Sequence, residues 1–199
     1  MFLQPLFRGV YWRINPSSKV VYLTFDDGPI PEVTPALLDI LKRENVKATF
    51  FMVAENAERH PELLQRIREE GHRVGNHTYH HLKGWYTPTE QYMQDVAKAD
   101  RVLGGTRAFR PPYGRIWPWQ KWQLRQLGYR IYLWDVLTHD YNKAYTPARM
   151  LHIIKRYTRK GSIINFHDSI KSNERMLETV PQAIAWLREQ GYEFGVIEE

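Results

Sequence analysis

Strand-like and helix-like segments alternate along almost the whole chain, with no repeat, low-complexity tract or linker between them. The strand candidates are residues 19–25, 46–53, 72–76, 108–110, 130–136, 162–167 and 192–197, most of them rich in Val, Ile, Phe and Tyr. Helical spacing fills the gaps at 34–44, 61–70, 89–103, 117–127, 146–159 and 174–190. Thr34 and Thr146 precede prolines and Thr89 follows one, while Gly71, Gly128, Gly161 and Gly191 fall where helix C-caps belong. Strands joined through helices pair in parallel by right-handed crossovers, so the pattern predicts an α/β fold, open and doubly wound or closed as a barrel. A regular eightfold barrel takes about 250 residues. With 199 residues this chain must close with fewer strands or stay open.

Composition narrows the setting. Apolar residues at 43% and charged residues at 25% suit one compact domain spanning residues 1–199. No apolar run approaches the roughly 18 residues that cross a bilayer. The first fifteen residues lack the basic start, apolar stretch and small-residue cleavage site of an export signal, which predicts a cytoplasmic location. Without cysteine there is no disulfide or thiolate metal site, leaving His, Asp and Glu as metal ligands. The net charge of +6 is spread without a Lys/Arg block, so no specific nucleic-acid partner is predicted, and nothing here specifies an oligomeric state.

The chemistry-bearing residues cluster at strand ends. The first strand runs into Asp26-Asp27-Gly28-Pro29, two adjacent carboxylates whose side chains diverge at a strand end and so need not share a role. Their repulsion calls for a cation or arginine nearby. After the third strand, His77 and His81 stand at i and i+4, which on a helical turn aims both imidazoles one way, as a divalent metal requires. His80 fits this spacing with neither and is read as supporting or surface. Arg110 precedes a stiff Pro111-Pro112-Tyr113 loop; Asp140 follows the fifth strand, and His167 ends the sixth. In a parallel α/β fold these strand ends form one functional rim. There Asp26, Asp27, His77, His81, Arg110, Asp140 and His167 converge: two imidazoles and a carboxylate for a metal, a spare carboxylate beside an arginine, and a further histidine.

With these motifs identified, the chain resembles the polysaccharide deacetylases, also called carbohydrate esterase family 4, over nearly its whole length. Thr24 to Pro29 matches the family's TFDDGP element, His77 to His81 its HTxxH element and Arg110 to Tyr113 its RxPY element, in order. Asp140 and His167 fall where two looser elements belong. The resemblance implies a distorted (β/α) barrel of about seven parallel strands with outer helices, and metal-dependent removal of N- or O-acetyl groups from a carbohydrate, above all an N-acetylglucosamine-containing glycan. It assigns Asp27, His77 and His81 to one divalent cation, zinc first and cobalt, nickel or iron as alternatives. Asp26 would take a proton from the attacking water, with Arg110 holding it ionised. A backbone N–H at Tyr113 would help to stabilise the oxyanion, and His167, backed by Asp140, would protonate the leaving group.

Three departures from the family pattern stand out, in two of its elements. The family commonly has Asp where this chain has Leu137 and Trp where it has Tyr141; a leucine that helps to enclose the acetyl methyl group is replaced by Asn165. These changes predict an altered acyl pocket and substrate choice. Trp85 and Tyr86 are candidates for stacking on a sugar, whereas Trp134 and Trp186 are read as packing residues. Two other readings keep the fold: a hydrolase of small non-sugar amides or imides, and a catalytically silent carbohydrate-binding relative.

Overall fold

The structure, a computed structural model, describes residues 9–198; residues 1–8, on which the reading of an absent export signal partly rests, and residue 199 lie outside the described residues. The strands are β1 (Val10–Tyr11), β2 (Val20–Asp26), β3 (Thr49–Met52), β4 (Arg73–Asn76), β5 (Ala108–Phe109), β6 (Arg130–Tyr132), β7 (Val136–Leu137), β8 (Ile163–His167) and β9 (Glu193–Gly195). The helices are α1 (Thr34–Arg43), α2 (Ala54–Arg59), α3 (Pro61–Glu69), α4 (Thr89–Val102), α5 (Pro118–Gln126), α6 (Pro147–Tyr157) and α7 (Asn173–Glu189). Among the described residues no helix is long and apolar enough to cross a membrane.

Every predicted strand is present, and the named strands pair in parallel in the order β1-β6-β5-β4-β3-β2-β8-β7, with β9 against the first half of β2. The segment predicted as one strand over 130–136 is broken. Its first part, β6, bonds to β5, and its second, β7, to β8, so the break passes the chain from one neighbour to the other and the sheet curls back on itself. Asp135 lies at this break, held by Arg159 and Ser162. The result is the distorted barrel that the resemblance implied.

Strand pleating sorts the residues into two layers. On β2, Val21, Leu23 and Phe25 face outward and join Phe50, Ile164 and Phe166 and the apolar faces of α1, α3 and α7 in the main core. Phe25 stacks between Phe50 and Phe166, with ring centroids 5.2 and 5.6 Å away, and burying each such ring stabilises the fold by roughly 1.5–3 kcal/mol. The alternate residues face the barrel interior. Its lower layer is apolar, formed by Tyr22, Phe51, Tyr132, Ile163 and Ile197. Above it, Thr24, Asp26 and Asn165 are buried and polar.

Local corrections follow from the surroundings. Gly71, Gly128 and Gly191 do follow helix ends with positive φ, but Gly161 lies beyond the end of α6, where its N–H donates to the Val20 carbonyl and guides the chain into β8. Thr34 opens α1 without capping it. Its hydroxyl instead accepts from Ile30 N and donates to the buried Asp168 carboxylate, both at 2.6 Å. Thr146 caps α6 as predicted, accepting from Arg149 N.

Candidate active site

The polar upper layer of the barrel is organised around Arg110, which follows β5 and is fully buried. Its Nη1 donates to Asp26 Oδ1 at 2.6 Å, Thr24 Oγ1 at 2.8 Å and Asn165 Oδ1 at 2.5 Å. Nε and Nη2 donate to the Tyr132 and Leu133 carbonyls, and the guanidinium lies 4.0 Å over the Phe51 ring. Asp26, only 2% exposed, receives a second hydrogen bond from Asn165 Nδ2 at 3.0 Å. A buried carboxylate is thus paired with a buried cation whose donors are widely used, the condition under which such a pair is tolerable.

Asp27 departs from this strand geometry. At φ 82 it breaks the pleat, so that two adjacent carboxylates serve different places. Asp27 Oδ1 lies 3.7 Å from His77 Nε2 and 3.3 Å from His81 Nε2, and one ligand atom from each of the three residues lies within 4.8 Å of the others. This oxygen is buried and has no hydrogen-bond partner, an arrangement that costs free energy unless a cation or donor completes it. His77 Nδ1 lies 2.7 Å from the Arg110 carbonyl, so the ring N–H donates there and Nε2 presents its lone pair to the cluster. Burial chiefly lowers the His77 pKa, to about 4, which keeps it neutral as a ligand must be. Burial alone would raise Asp27, but the close approach of His81 and the charges of His167, His77 and His81 hold it well below the ordinary carboxylate range. Two imidazoles and a carboxylate around an unpartnered buried oxygen fit a divalent cation such as zinc.

The two histidines do not share a helical turn, as their spacing had predicted. His77 immediately follows β4 and His81 lies in irregular chain, with Thr78 at φ 65 and His81 at φ 56. The loop is held by α2, a helix absent from the sequence reading. Ala54 N donates to the Thr78 carbonyl, Glu55 N to the Tyr79 carbonyl, and Asn56 Nδ2 to the Asp27 carbonyl. Buried Asp95 on α4 accepts from Tyr79 N and His80 N and contacts His80 Nδ1, which makes His80 a supporting residue. Asp27, Thr78, His81, Tyr113 and His139 are five of the seven non-glycine residues with positive φ among the described residues. Such backbone strain concentrated on one rim is typical of a functional site.

Across the rim, His167 Nδ1 lies 2.8 Å from Asp140 Oδ1, while Asp140 Oδ2 accepts from His167 N. Burial lowers the His167 pKa, but the hydrogen bond and charge of Asp140, with Asp27 and Asp26 adding, outweigh it and raise the value to about 9. Below that pH the ring carries a proton. Arg175 of α7 donates to the Asp140 carbonyl and fixes its loop. Tyr113 places its ring 4.7 Å from His81. Sequence reasoning missed Asn165 as a partner of Asp26, and also Asn56, Asp95 and Arg175; a buried-side polar residue inside an apolar strand was the available signal for Asn165. Trp85, Trp117 and Trp119 are exposed and form a ridge, with centroids 6.2 and 4.8 Å apart in succession. Trp186 packs against the main core as predicted, whereas Trp134 is half-buried beside Arg110 and Gly114.

Residues 13–132 match the profile of the family described as polysaccharide deacetylase. The chain is 29% identical over 196 residues to a peptidoglycan-N-acetylglucosamine deacetylase of Bacillus cereus (strain ATCC 14579), covering 96% of this chain and 92% of that protein. It spans 39% of the length of another relative, the peptidoglycan-N-acetylglucosamine deacetylase PgdA of Listeria monocytogenes, with 34% identity. Among solved structures, a peptidoglycan N-acetylglucosamine deacetylase in complex with 4-naphthalen-1-yl-N-oxidanyl-benzamide superposes with a TM-score of 0.93 at 30% identity, over 99% of this chain and 94% of that one. A pseudoenzyme of carbohydrate esterase family 4 from Bacillus anthracis superposes with a TM-score of 0.86 at 27% identity, over 94% of this chain and 67% of that one.

Proposed function

The chain belongs to the polysaccharide deacetylase family, and from that premise we propose that it is a metal-dependent hydrolase that removes N-acetyl groups from an N-acetylglucosamine-containing glycan. One observation carries the reading: the unpartnered Asp27 oxygen and the two imidazole Nε2 atoms share one rim with an arginine-held carboxylate, Asp26, and its register partner, the aspartate-held imidazole of His167. Asp27, His77 and His81 hold the cation, zinc in the first instance. When bound, it supplies Lewis-acid polarisation of the acyl carbonyl and of water.

The chain's own residues then divide the proton work. Asp26, aimed by the hydrogen bond from Arg110, accepts the proton of the attacking water. The Tyr113 N–H, a role carried over from the family, donates to the developing oxyanion. His167 enters protonated, a state that Asp140 favours, and delivers its proton to the leaving amine. The exposed tryptophans beside the rim offer faces for sugar rings. A pseudoenzyme among the structural neighbours makes silence the competing reading; the complete set of Asp26, Asp27, His77, His81, Arg110 and His167 argues against it.

The test is acetate release from N-acetylated chito-oligosaccharides and from peptidoglycan fragments by zinc-loaded protein. Asp26→Asn should lower the rate by about 10² to 10⁴, the usual worth of a general base, and His77→Ala, which removes a ligand of the cation, should lower it at least as far. Turnover that survives both substitutions refutes the assignment.

A further inference from the structure

The turn that carries Asp27 leads from the end of β2 toward α1 and is gripped from two sides. On one side lie β3 and α2: Asp27 N donates to the Phe51 carbonyl, Val53 N to the Gly28 carbonyl and Asn56 Nδ2 to the Asp27 carbonyl. On the other lies Asp168, the first residue beyond β8. Asp26 and His167 are register partners on β2 and β8. Asp168 N donates to the Asp26 carbonyl at 2.7 Å and so carries the ladder past the ends of both strands.

The Asp168 side chain is fully buried and lies against the turn itself. A Cβ built on Gly28 would overlap Asp168 Oδ2, so this close approach is what demands a glycine at position 28. The same Oδ2 accepts from Thr34 Oγ1 at 2.6 Å, and Thr34 Oγ1 in turn accepts from Ile30 N at 2.6 Å. One residue therefore holds the turn at three points: its entry through the Asp26 carbonyl, its middle by contact with Gly28, and its exit through Thr34 and Ile30. The remaining oxygen, Oδ1, is buried with no hydrogen-bond partner. Such an orphaned acceptor costs free energy, and an apolar side chain would fill the same space without that cost.

We propose that Asp168 is a positioning residue: it locks the Asp27-Gly28 turn to the end of β8, so that the Asp27 carboxylate and the His167 imidazole are set in one frame. This rests on the deacetylase reading, in which Asp27 holds the cation and His167 is the acid. Asp168 acts through the backbone on which those two residues stand. An apolar residue could occupy its place but could not accept from Thr34, and the exit of the turn would lose its tie to β8.

The experiment measures zinc affinity, by competition with a chromophoric chelator, in wild type, Asp168→Ala and Asp168→Asn. Asp168→Ala should weaken zinc binding by about 10- to 100-fold, the scale on which residues standing behind metal ligands act. Asp168→Asn keeps the bulk against Gly28 and an acceptor for Thr34, and should bind zinc as wild type does. A residue serving stability alone would lower Tm and leave the affinity unmoved. A folded Asp168→Ala protein with wild-type affinity, or an Asp168→Asn protein as weak as Asp168→Ala, overturns the proposal. If Asp168→Ala does not fold, Thr34→Val, which removes the hydroxyl between Asp168 and Ile30, is read in its place: weaker binding supports the proposal and wild-type affinity overturns it. A wild-type protein that binds zinc without turnover fails the functional reading and not this one. If wild type binds no zinc, hydrogen exchange of the Asp27 and Val53 amides in the metal-free proteins decides: faster in Asp168→Ala than in wild type and Asp168→Asn supports the proposal, and equal rates in all three overturn it.

Discussion

Arg110→Met keeps a buried apolar stem and removes the guanidinium together with its contact on the Phe51 ring. The loss leaves Asp26, 2% exposed, with a single hydrogen bond from Asn165 at 3.0 Å, and takes the side-chain donors from the Tyr132 and Leu133 carbonyls. Removing one partner of a buried ion pair costs about 3–5 kcal/mol, because the other charge stays behind uncompensated. For a chain of this size each kcal/mol moves the midpoint by about 2–4 °C, so Tm should fall by about 6–20 °C. Thermal and urea unfolding followed by circular dichroism at pH 7, with chelator present to exclude metal effects, measures this. The decisive comparison is Asp26→Asn/Arg110→Met, which removes both charges and should be more stable than Arg110→Met alone, with a coupling of about 1–3 kcal/mol. An Arg110→Met protein within about 1 kcal/mol of wild type, or a double variant no more stable than the single, would show that the buried pair is not coupled in this way.

Three further outcomes follow from the same geometry. His167 in metal-free protein should titrate near 9 by NMR and move down toward 6.5 in Asp140→Asn; since its folded pKa is raised, the stability it contributes is full below about 6.5 and lost as pH rises through about 9. An ordinary His167 titration in wild type contradicts this. Asp168 is raised to about 7 by burial, with Asp27 adding and the Thr34 hydrogen bond opposing. The folded state therefore binds its proton more tightly, stability falls as pH rises from about 4 to 7, and Asp168→Asn should flatten that slope in chemical unfolding. Zinc at a hundredfold excess over Kd should stabilise wild type by about 2.7 kcal/mol and leave His77→Ala unmoved in thermal melts.

The fold was legible because parallel strands buried on both faces read as apolar runs, and β2, with Val, Leu and Phe outward and Tyr, Thr and Asp inward, carries its own layer assignment. The two-residue β1 and the six-residue α2 left no period to detect. The break in 130–136 arises from a change of strand partner, which no local pattern records. At the site, the strand-end clusters and their convergence were readable from Asp26 to His167. The path of His77 to His81 was not: positive φ at Thr78 and His81 contradicts local preference and persists because α2 and Asp95 hold the loop. Asn165 was legible as a departure but not in its consequence, which depended on Arg110 approaching from another strand.

On the proposed function, Asp27, His77 and His81 together grip one divalent cation beside Asp26 and His167. Anomalous diffraction at the zinc edge from crystals grown with zinc tests it most directly. One strong peak per chain is expected between Asp27 Oδ1 and the two Nε2 atoms, absent in Asp27→Ala; a site left empty while zinc binds elsewhere, or a peak that persists without Asp27, would rule the assignment out.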